Sequence, residues 1–145
     1  MQTFIPSWDL PTIGRVLDRQ RLGKQRVECV QILRSLDSTV PGRGWANHPA
    51  VRMWRGHEAF LLEYTSAVCA AWSSRGYRNV KIADHLAHYR ARLTGPAVPP
   101  AWWGDDRVLI SHRSNLIRKH AEHYQPMWPN VPDDLPYYWP TKEQS

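Results

Sequence analysis

The sequence predicts an all-α protein: a compact single-domain bundle of about four helices, followed by an extended tail rich in proline and aromatic residues. Three observations support this fold class. Apolar residues recur at helical spacing in several separate segments. No segment alternates polar and apolar residues convincingly enough for a strand. From Tyr124 onward, prolines recur too often for either kind of element, so residues 124–145 are expected to lie extended over the body.

Length and composition are typical of one globular domain covering residues 1–145. The chain is 42% hydrophobic and 22% charged, which is too apolar for a disordered protein. A length of 145 residues provides one hydrophobic core but not two.

The first predicted helix is capped by Asp9 or Thr12 behind Pro11 and continues to about Leu36, with Gly23 as a candidate bend. Its central stretch, residues 17–34, surrounds two acids with many basic side chains. At helical period one face is polar and the other apolar. The polar face carries Arg21, Lys24, Gln25, Glu28 and Gln31, and the apolar face carries Leu22, Cys29, Leu33 and Leu36.

The cationic bias of this helix indicates a polyanionic partner, for which phosphate is the obvious candidate. Glu28 stands out, because a carboxylate beside phosphates is repelled unless it performs chemistry or holds an arginine. The alternative is an ordinary amphipathic helix with a Lys24–Glu28 pair. That pair runs in the less favourable order and would contribute about 0.2–0.5 kcal/mol at best.

Three more helices follow in the prediction. The second begins around His48 and Pro49 and continues to Gly76, with an interruption at Gly56. The third begins at a cap on Asn79 and ends before residues 95–96. The last begins at residues 105–106 and runs to about residue 120. It carries a second cationic patch, formed by Arg113, Arg118 and Lys119.

The net charge of +6 favours an acidic partner, most commonly nucleic acid, although a basic protein without such a partner is the alternative. The sequence has no apolar run long enough to span a membrane and no signal-peptide pattern, so we expect a cytoplasmic protein. Cys29 and Cys69 fall on apolar helix faces, where buried reduced thiols are expected.

Six of the eight tryptophans fall into two groups. Trp54 and Trp72 lie in helical patterns and are predicted core residues. Others lie in proline-rich connections, where they either stack on bases or, as we favour, pin those connections to the body; they include Trp102, Trp103, Trp128 and Trp139.

Searches for glycine-rich phosphate loops, zinc-type cysteine pairs and nucleophile elbows find none. The histidine pairs 85/88 and 120/123 lack a supporting carboxylate set. We therefore expect neither a metal nor a cofactor. At the N-terminus, Phe4 and Ile5 are expected to dock into the core and hold the α-amino group in place. Gln2 is too large for efficient methionine trimming, which predicts that Met1 is retained.

Several blocks of the sequence resemble the pyrimidine-dimer DNA glycosylases, the small all-helical repair enzymes typified by phage T4 endonuclease V. They are MQTFIP at the start, QRLGKQRVE at residues 20–28, NHPAVRMW at 47–54, the SSRGY helix end, SHRSNLIRK at 111–119 and the aromatic tail. The likeness is closest to bacterial members that carry an RLGKQRVE-like block.

The resemblance implies a DNA glycosylase with abasic-site lyase activity on damaged pyrimidines. In that family the N-terminal α-amine is the nucleophile, and a glutamate on the first long helix assists. α-Amines ordinarily titrate near pH 7.7–8.0, so a useful fraction is neutral near pH 7. By this resemblance Met1 and Glu28 are the catalytic residues. The implied DNA contacts are Gln2, Arg21, Lys24, Gln25, Arg26, Arg113, Arg118, Lys119, Tyr137, Tyr138 and Trp139.

This chain departs from the phage enzyme in keeping Met1 where that enzyme exposes a threonine. It also has a longer segment before the glutamate and a longer tail. Two alternatives stay open: a related enzyme acting on another modified base or only on abasic sites, and a DNA-binding protein without catalysis. We expect a monomer with DNA, in damaged duplex form, as its partner and no obligate protein partner.

Overall fold

The computed structural model describes residues 1–41 and 46–140. In these ranges the chain forms seven α-helices and no β-strand, which confirms the all-α class. In chain order the helices are α1 Leu10–Val16, α2 Arg19–Leu36, α3 Pro49–Arg52, α4 Glu58–Ser74, α5 Val80–Arg92, α6 Asp106–Lys119 and α7 Ala121–Tyr124. The four long helices, α2, α4, α5 and α6, correspond to the predicted bundle.

The expectation of one continuous helix up to Leu36 was wrong, because the chain breaks between α1 and α2. Leu17 and Asp18 have extended backbone, with ψ of 134° and 163°. The Tyr124 hydroxyl holds this break: it accepts the Asp18 N–H at 2.8 Å and donates to the Asp18 carboxylate. Gly23 does not bend α2 but allows close packing, because an added Cβ there would lie 3.1 Å from the Trp72 ring.

The buried apolar side chains form one cluster to which all seven described helices contribute. The apolar face predicted for α2 is the buried one, with Leu22, Cys29 and Leu33 at most 2% exposed. Cys29 and Cys69 are buried free thiols, as predicted. Burial raises the pKa of both thiols, that of Cys69 to about 11, so neither is a reactive thiolate near neutral pH.

The N-terminal segment, residues 1–9, docks into this core, as predicted from its apolar residues. Ile5 is fully buried, and its N–H donates to His112 Nδ1 at 2.8 Å. Burial lowers the pKa of His112 to about 3, so the ring stays neutral and can accept this bond. Trp54 adds an anchor by donating from Nε1 to Thr3 Oγ1 at 3.0 Å. The start of the chain is therefore fixed against α6 and the turn that follows α3.

The tail packs along α6 through polar side chains. The Leu135 N–H donates to Ser114 Oγ at 3.0 Å, and the Tyr138 N–H donates to Ser111 Oγ at 3.2 Å. Asn115 Nδ2 returns a bond to the Leu135 carbonyl at 3.1 Å. From Leu135 to Tyr138 the tail packs on the body as predicted, but residues 125–131 form hydrogen-bonded turns instead of an extended chain. The last residues, 141–145, lie outside the described ranges.

Most predicted helix caps and tryptophan roles are confirmed, with two corrections. Asp9 and Asp105 accept N–H groups in the first turns of α1 and α6. Asn79 instead precedes α5 without a capping bond, because its Oδ1 atom accepts a hydrogen bond from Arg26. Its amide nitrogen donates to the end of α4. Trp102 pins its connection by donating to the Met53 carbonyl at 2.7 Å. Trp54 is fully buried, but Trp72 is only partly buried and is not a core residue.

Candidate active site

A cleft of about 270 Å³ opens where the N-terminal segment crosses α2. It combines residues from four places in the chain: the first residues, one face of α2, the end of α6 and the tail. The lining residues are Met1, Gln2, Phe4, Gln20, Arg21, Lys24, Gln25, Glu28, Lys119 and Tyr137. Most of the predicted site residues therefore share one surface.

Within the part of the chain that the structure describes, Glu28 is the only carboxylate that lines this cleft. Its Oε2 atom accepts the backbone N–H of Gln2 at 3.4 Å and the amide of Gln25 at 3.1 Å. The Met1 amino nitrogen is three bonds from the Gln2 nitrogen, and those bond lengths total about 4.3 Å. The chain's first nitrogen therefore lies within about 8 Å of the Glu28 carboxylate.

Gln25 is the residue that ties the N-terminal segment to α2. Its side chain is 1% exposed and uses both ends of its amide. The Oε1 atom accepts the Phe4 N–H at 2.9 Å, and Nε2 donates to the Gln2 carbonyl at 2.9 Å as well as to Glu28. Gln25 was predicted as a DNA contact, yet its bonds are to protein groups, so the structure supports a positioning role.

The side chain of Tyr64, on α4, supports this arrangement through hydrogen bonds to Phe4 and Gln25. Its buried hydroxyl lies 2.7 Å from the Phe4 carbonyl oxygen and 2.8 Å from Gln25 Oε1, and it is the donor to both. Burial raises the pKa of Tyr64 well above its usual value, which keeps the hydroxyl protonated. Nothing in the sequence pattern around Tyr64 indicates that it supports the site.

The cations around Glu28 differ in how they are bound. Arg21 forms an ion pair with Asp18 at 3.2 Å. Asp18 also accepts a hydrogen bond from Tyr124, so this pair anchors the start of α2. Lys24 and Lys119 are exposed, and among the described residues neither forms an ion pair or hydrogen bond through its side chain. The Lys24–Glu28 pair considered as a structural alternative is not formed. Two free ammonium groups therefore flank the carboxylate.

His48 lies near the start of the chain and was not identified from the sequence as a site residue. Its Nδ1 accepts the Ala50 N–H at 3.0 Å, and its ring meets Trp139 edge-on at 6.1 Å. Burial and the positive charge of the Met1 ammonium group lower the pKa of His48. The amino group thus has an imidazole near it as well as a carboxylate.

The sequence model of the pyrimidine dimer DNA glycosylase family matches residues 1–84. The chain belongs to this family. Comparisons with curated proteins and with solved structures gave no match. The family is one of DNA-repair glycosylases, so its membership identifies DNA as the class of substrate.

The glycosylase match ends before α6, yet two cleft residues lie beyond it. Lys119, at the end of α6, and Tyr137, in the tail, both reach the cleft. The ring centre of Trp139 lies 5.7 Å from that of Tyr137, so two of the predicted tail aromatics are close to the site. Tyr138 is elsewhere, under the Arg107 guanidinium at 4.4 Å.

Three of the predicted cationic DNA contacts lie outside the cleft of this glycosylase-family chain. Arg26 stacks over Trp72 at 4.3 Å and donates to Asn79 at 3.0 Å. Arg113 donates from Nε to the Pro6 carbonyl at 2.8 Å, and Arg118 donates to the tail carbonyl of Asp133 at 3.0 Å. Their observed contacts are structural, because each holds one segment against another.

Metal and membrane features were also sought in the described part of the chain. No group of three or more histidine, cysteine or acidic side chains is placed to hold a metal ion there. In the same ranges none of the helices has the length and apolar character needed to cross a bilayer.

Proposed function

We propose that the protein is a DNA glycosylase with abasic-site lyase activity on damaged pyrimidines, with the Met1 α-amine as nucleophile and Glu28 as the catalytic carboxylate. The observation that carries the proposal is the 3.4 Å contact between the Gln2 N–H and Glu28 Oε2, because it brings the start of the chain to a lone acid in a cationic cleft. Family membership supports the substrate class.

In the proposed reaction the neutral amine attacks C1′ of the damaged nucleotide. The new N–C1′ bond forms as the glycosidic bond breaks, and the base leaves with the bonding electron pair and takes up a proton. Glu28 stabilises the positive charge that develops on the sugar. Opening of the sugar ring then gives an imine between Met1 and C1′.

The strand is nicked in a second stage. A base removes a proton from C2′, and the electrons form a C2′–C3′ double bond as the phosphate on C3′ leaves. Glu28 is the candidate proton acceptor, and Lys24 and Lys119 are the free cations available to neutralise phosphates. Water then hydrolyses the imine and releases the enzyme. Access to C1′ requires the nucleotide to be extruded from the duplex.

Borohydride trapping tests this proposal, because it reduces an imine to a stable amine. Wild-type protein should form a covalent adduct with abasic and with pyrimidine-dimer DNA. A Gly-Ser extension before Met1 should abolish trapping, since the α-amine is moved away from Glu28. Glu28→Gln should retain DNA binding but lose strand cleavage, and the matched variant Glu63→Gln, at an exposed position on α4, should cleave normally.

The same assay separates the alternatives. Trapping on abasic DNA alone would favour an enzyme restricted to abasic sites. Binding without trapping on either substrate would overturn catalysis and leave a DNA-binding protein. Normal cleavage by the extended protein would overturn the α-amine as nucleophile.

A further inference from the structure

A second cationic groove, of about 470 Å³, lies between α2 and the first turns of α5. The basic and titratable residues that line it are Arg26, Arg34, Arg78, Lys81 and His85, and none of the described residues that line it is a carboxylate. Arg34, Arg78 and Lys81 are exposed, and within the described ranges their side chains form no hydrogen bond or ion pair. The groove therefore concentrates uncompensated positive charge.

The other end of α5 provides a contrast. There Arg92 pairs with Asp37 at 3.0 Å, so a cation between α5 and the end of α2 is neutralised. Among the arginines and the lysine of the groove, only Arg26 has side-chain partners in the described structure. It stacks on Trp72 and donates to Asn79, and these contacts fix its position in the wall of the groove. Free like charges that face one concave surface repel one another, which favours a polyanion as occupant.

The groove is continuous with the candidate active site. A depression of about 890 Å³ lies between them along α2. It shares Gln20, Lys24 and Glu28 with the active-site cleft, and Val27 and Gln31 with the α2–α5 groove. One polymer lying along α2 can therefore occupy all three surfaces.

The spacing between the cleft and the groove along α2 corresponds to a short length of duplex DNA. Lys24 in the cleft and Arg34 in the groove are ten positions apart on one helix, which is about 15 Å at 1.5 Å per residue. With a base-pair rise of about 3.4 Å, this spans roughly four base pairs. Val27, 47% exposed, and Val80, 69% exposed, add apolar surface beside the cations, which suits contact with deoxyribose.

We propose that the α2–α5 groove binds the phosphate backbone of one duplex arm, about four base pairs from the reacting nucleotide. This inference rests on the proposed function, because it takes the active-site cleft as the position of the lesion. It assigns phosphate contacts to Arg34, Arg78 and Lys81, which are not among the DNA contacts expected from the sequence. The groove thus sets the length of DNA that the protein needs on one side of the lesion.

The test uses duplexes that carry a non-cleavable tetrahydrofuran abasic analogue, with the arm on each side shortened in turn. Wild-type affinity should fall when one particular arm is cut below about four base pairs. The double variant Arg78→Gln/Lys81→Gln should bind the long duplex more weakly than wild type does. Shortening that arm should reduce the affinity of the double variant only slightly further. Arg15→Gln/Arg90→Gln removes the same charge outside the groove and should keep the wild-type dependence on arm length.

Salt dependence gives a second readout. Each phosphate contact contributes a slope of about −0.9 in log affinity against log salt. Between about 50 and 200 mM salt, wild type should lose roughly tenfold more affinity than the double variant, which lacks two contacts. A double variant with the wild-type salt slope and the wild-type dependence on arm length would overturn the proposal.

Failure of the proposed function is distinguishable from failure of this inference. At saturating protein, borohydride trapping on long abasic duplex should be the same for wild type and the double variant, because the groove binds but does not react. Absence of trapping by wild type would overturn the lyase, whereas the binding series on the unreactive analogue still decides the role of the groove.

Discussion

The amide of Gln25 donates to Glu28 at 3.1 Å, and the same side chain binds the backbone of Gln2 and Phe4. One buried residue thus connects the candidate catalytic carboxylate to the segment that carries the candidate nucleophile. The position of the amine relative to the acid depends on this amide.

Gln25→Met keeps the volume of the side chain but removes all of these bonds. It leaves the Phe4 N–H and the Tyr64 hydroxyl with fewer partners, so we expect the free energy of unfolding to fall by about 2–4 kcal/mol. Single-turnover cleavage should slow by about a hundredfold, because a shift of about 1 Å between reacting groups costs that much. Gln125→Met, at an exposed position, is the control for both measurements. Wild-type cleavage by Gln25→Met would show that the site does not need this connection.

His112 makes the docking of the N-terminal segment sensitive to acid. Its pKa in the folded protein is about 3, whereas an exposed histidine titrates near about 6.5. Between these values the unfolded chain binds a proton that the folded protein excludes, so stability falls as the pH drops. The loss should approach about 1.4 kcal/mol per pH unit below pH 6.

His112→Asn should remove this dependence, because asparagine can accept the Ile5 N–H without titrating. Thermal unfolding between pH 7 and 5 measures how stability depends on pH. The control is His88→Asn, at an exposed position on α5. Equal slopes for wild type and His112→Asn would refute the assignment.

Tyr124→Phe tests the break between α1 and α2. Without its hydroxyl the buried Asp18 N–H has no acceptor, which should cost about 1–3 kcal/mol of unfolding free energy at neutral pH. Burial alone would raise the pKa of Asp18, but the bonds from Tyr124 and Arg21 lower it overall.

The stabilisation of ionised Asp18 is therefore present above its unfolded pKa and is lost as the pH falls through the lowered folded value. The difference in stability between wild type and Tyr124→Phe should narrow below about pH 4, as acid titrations of unfolding would show. Tyr89→Phe, which removes a tyrosine hydroxyl that makes no hydrogen bond in the described structure, should change stability by less than about 0.5 kcal/mol. A constant difference across the titration would exclude Asp18 as its source.

Local patterns predicted the helices and the polar face of α2, because helical spacing and capping residues are recorded in neighbouring positions. The break at Leu17 and Asp18 was missed because its cause, Tyr124, lies 106 positions away. The burial of Gln25 was missed for the same reason, since its partners come from the N-terminal segment and α4.

The candidate site was predictable where family motifs fix positions, as at Glu28. His48 and the α2–α5 groove could not be found in this way, because they depend on how separate helices pack. Trp72 shows the limit of periodicity. Its spacing is typical of a core residue of α4, but Gly23 leaves room for its ring to line the depression along α2.

The central claim is that the α-amine of Met1 becomes the covalent link to DNA. The most direct measurement is mass spectrometry of peptides from wild-type protein trapped with borohydride on abasic DNA. We predict that the sugar remnant is on the N-terminal nitrogen of a peptide that still begins with Met1. A remnant on a lysine side chain, such as that of Lys24, would contradict the account.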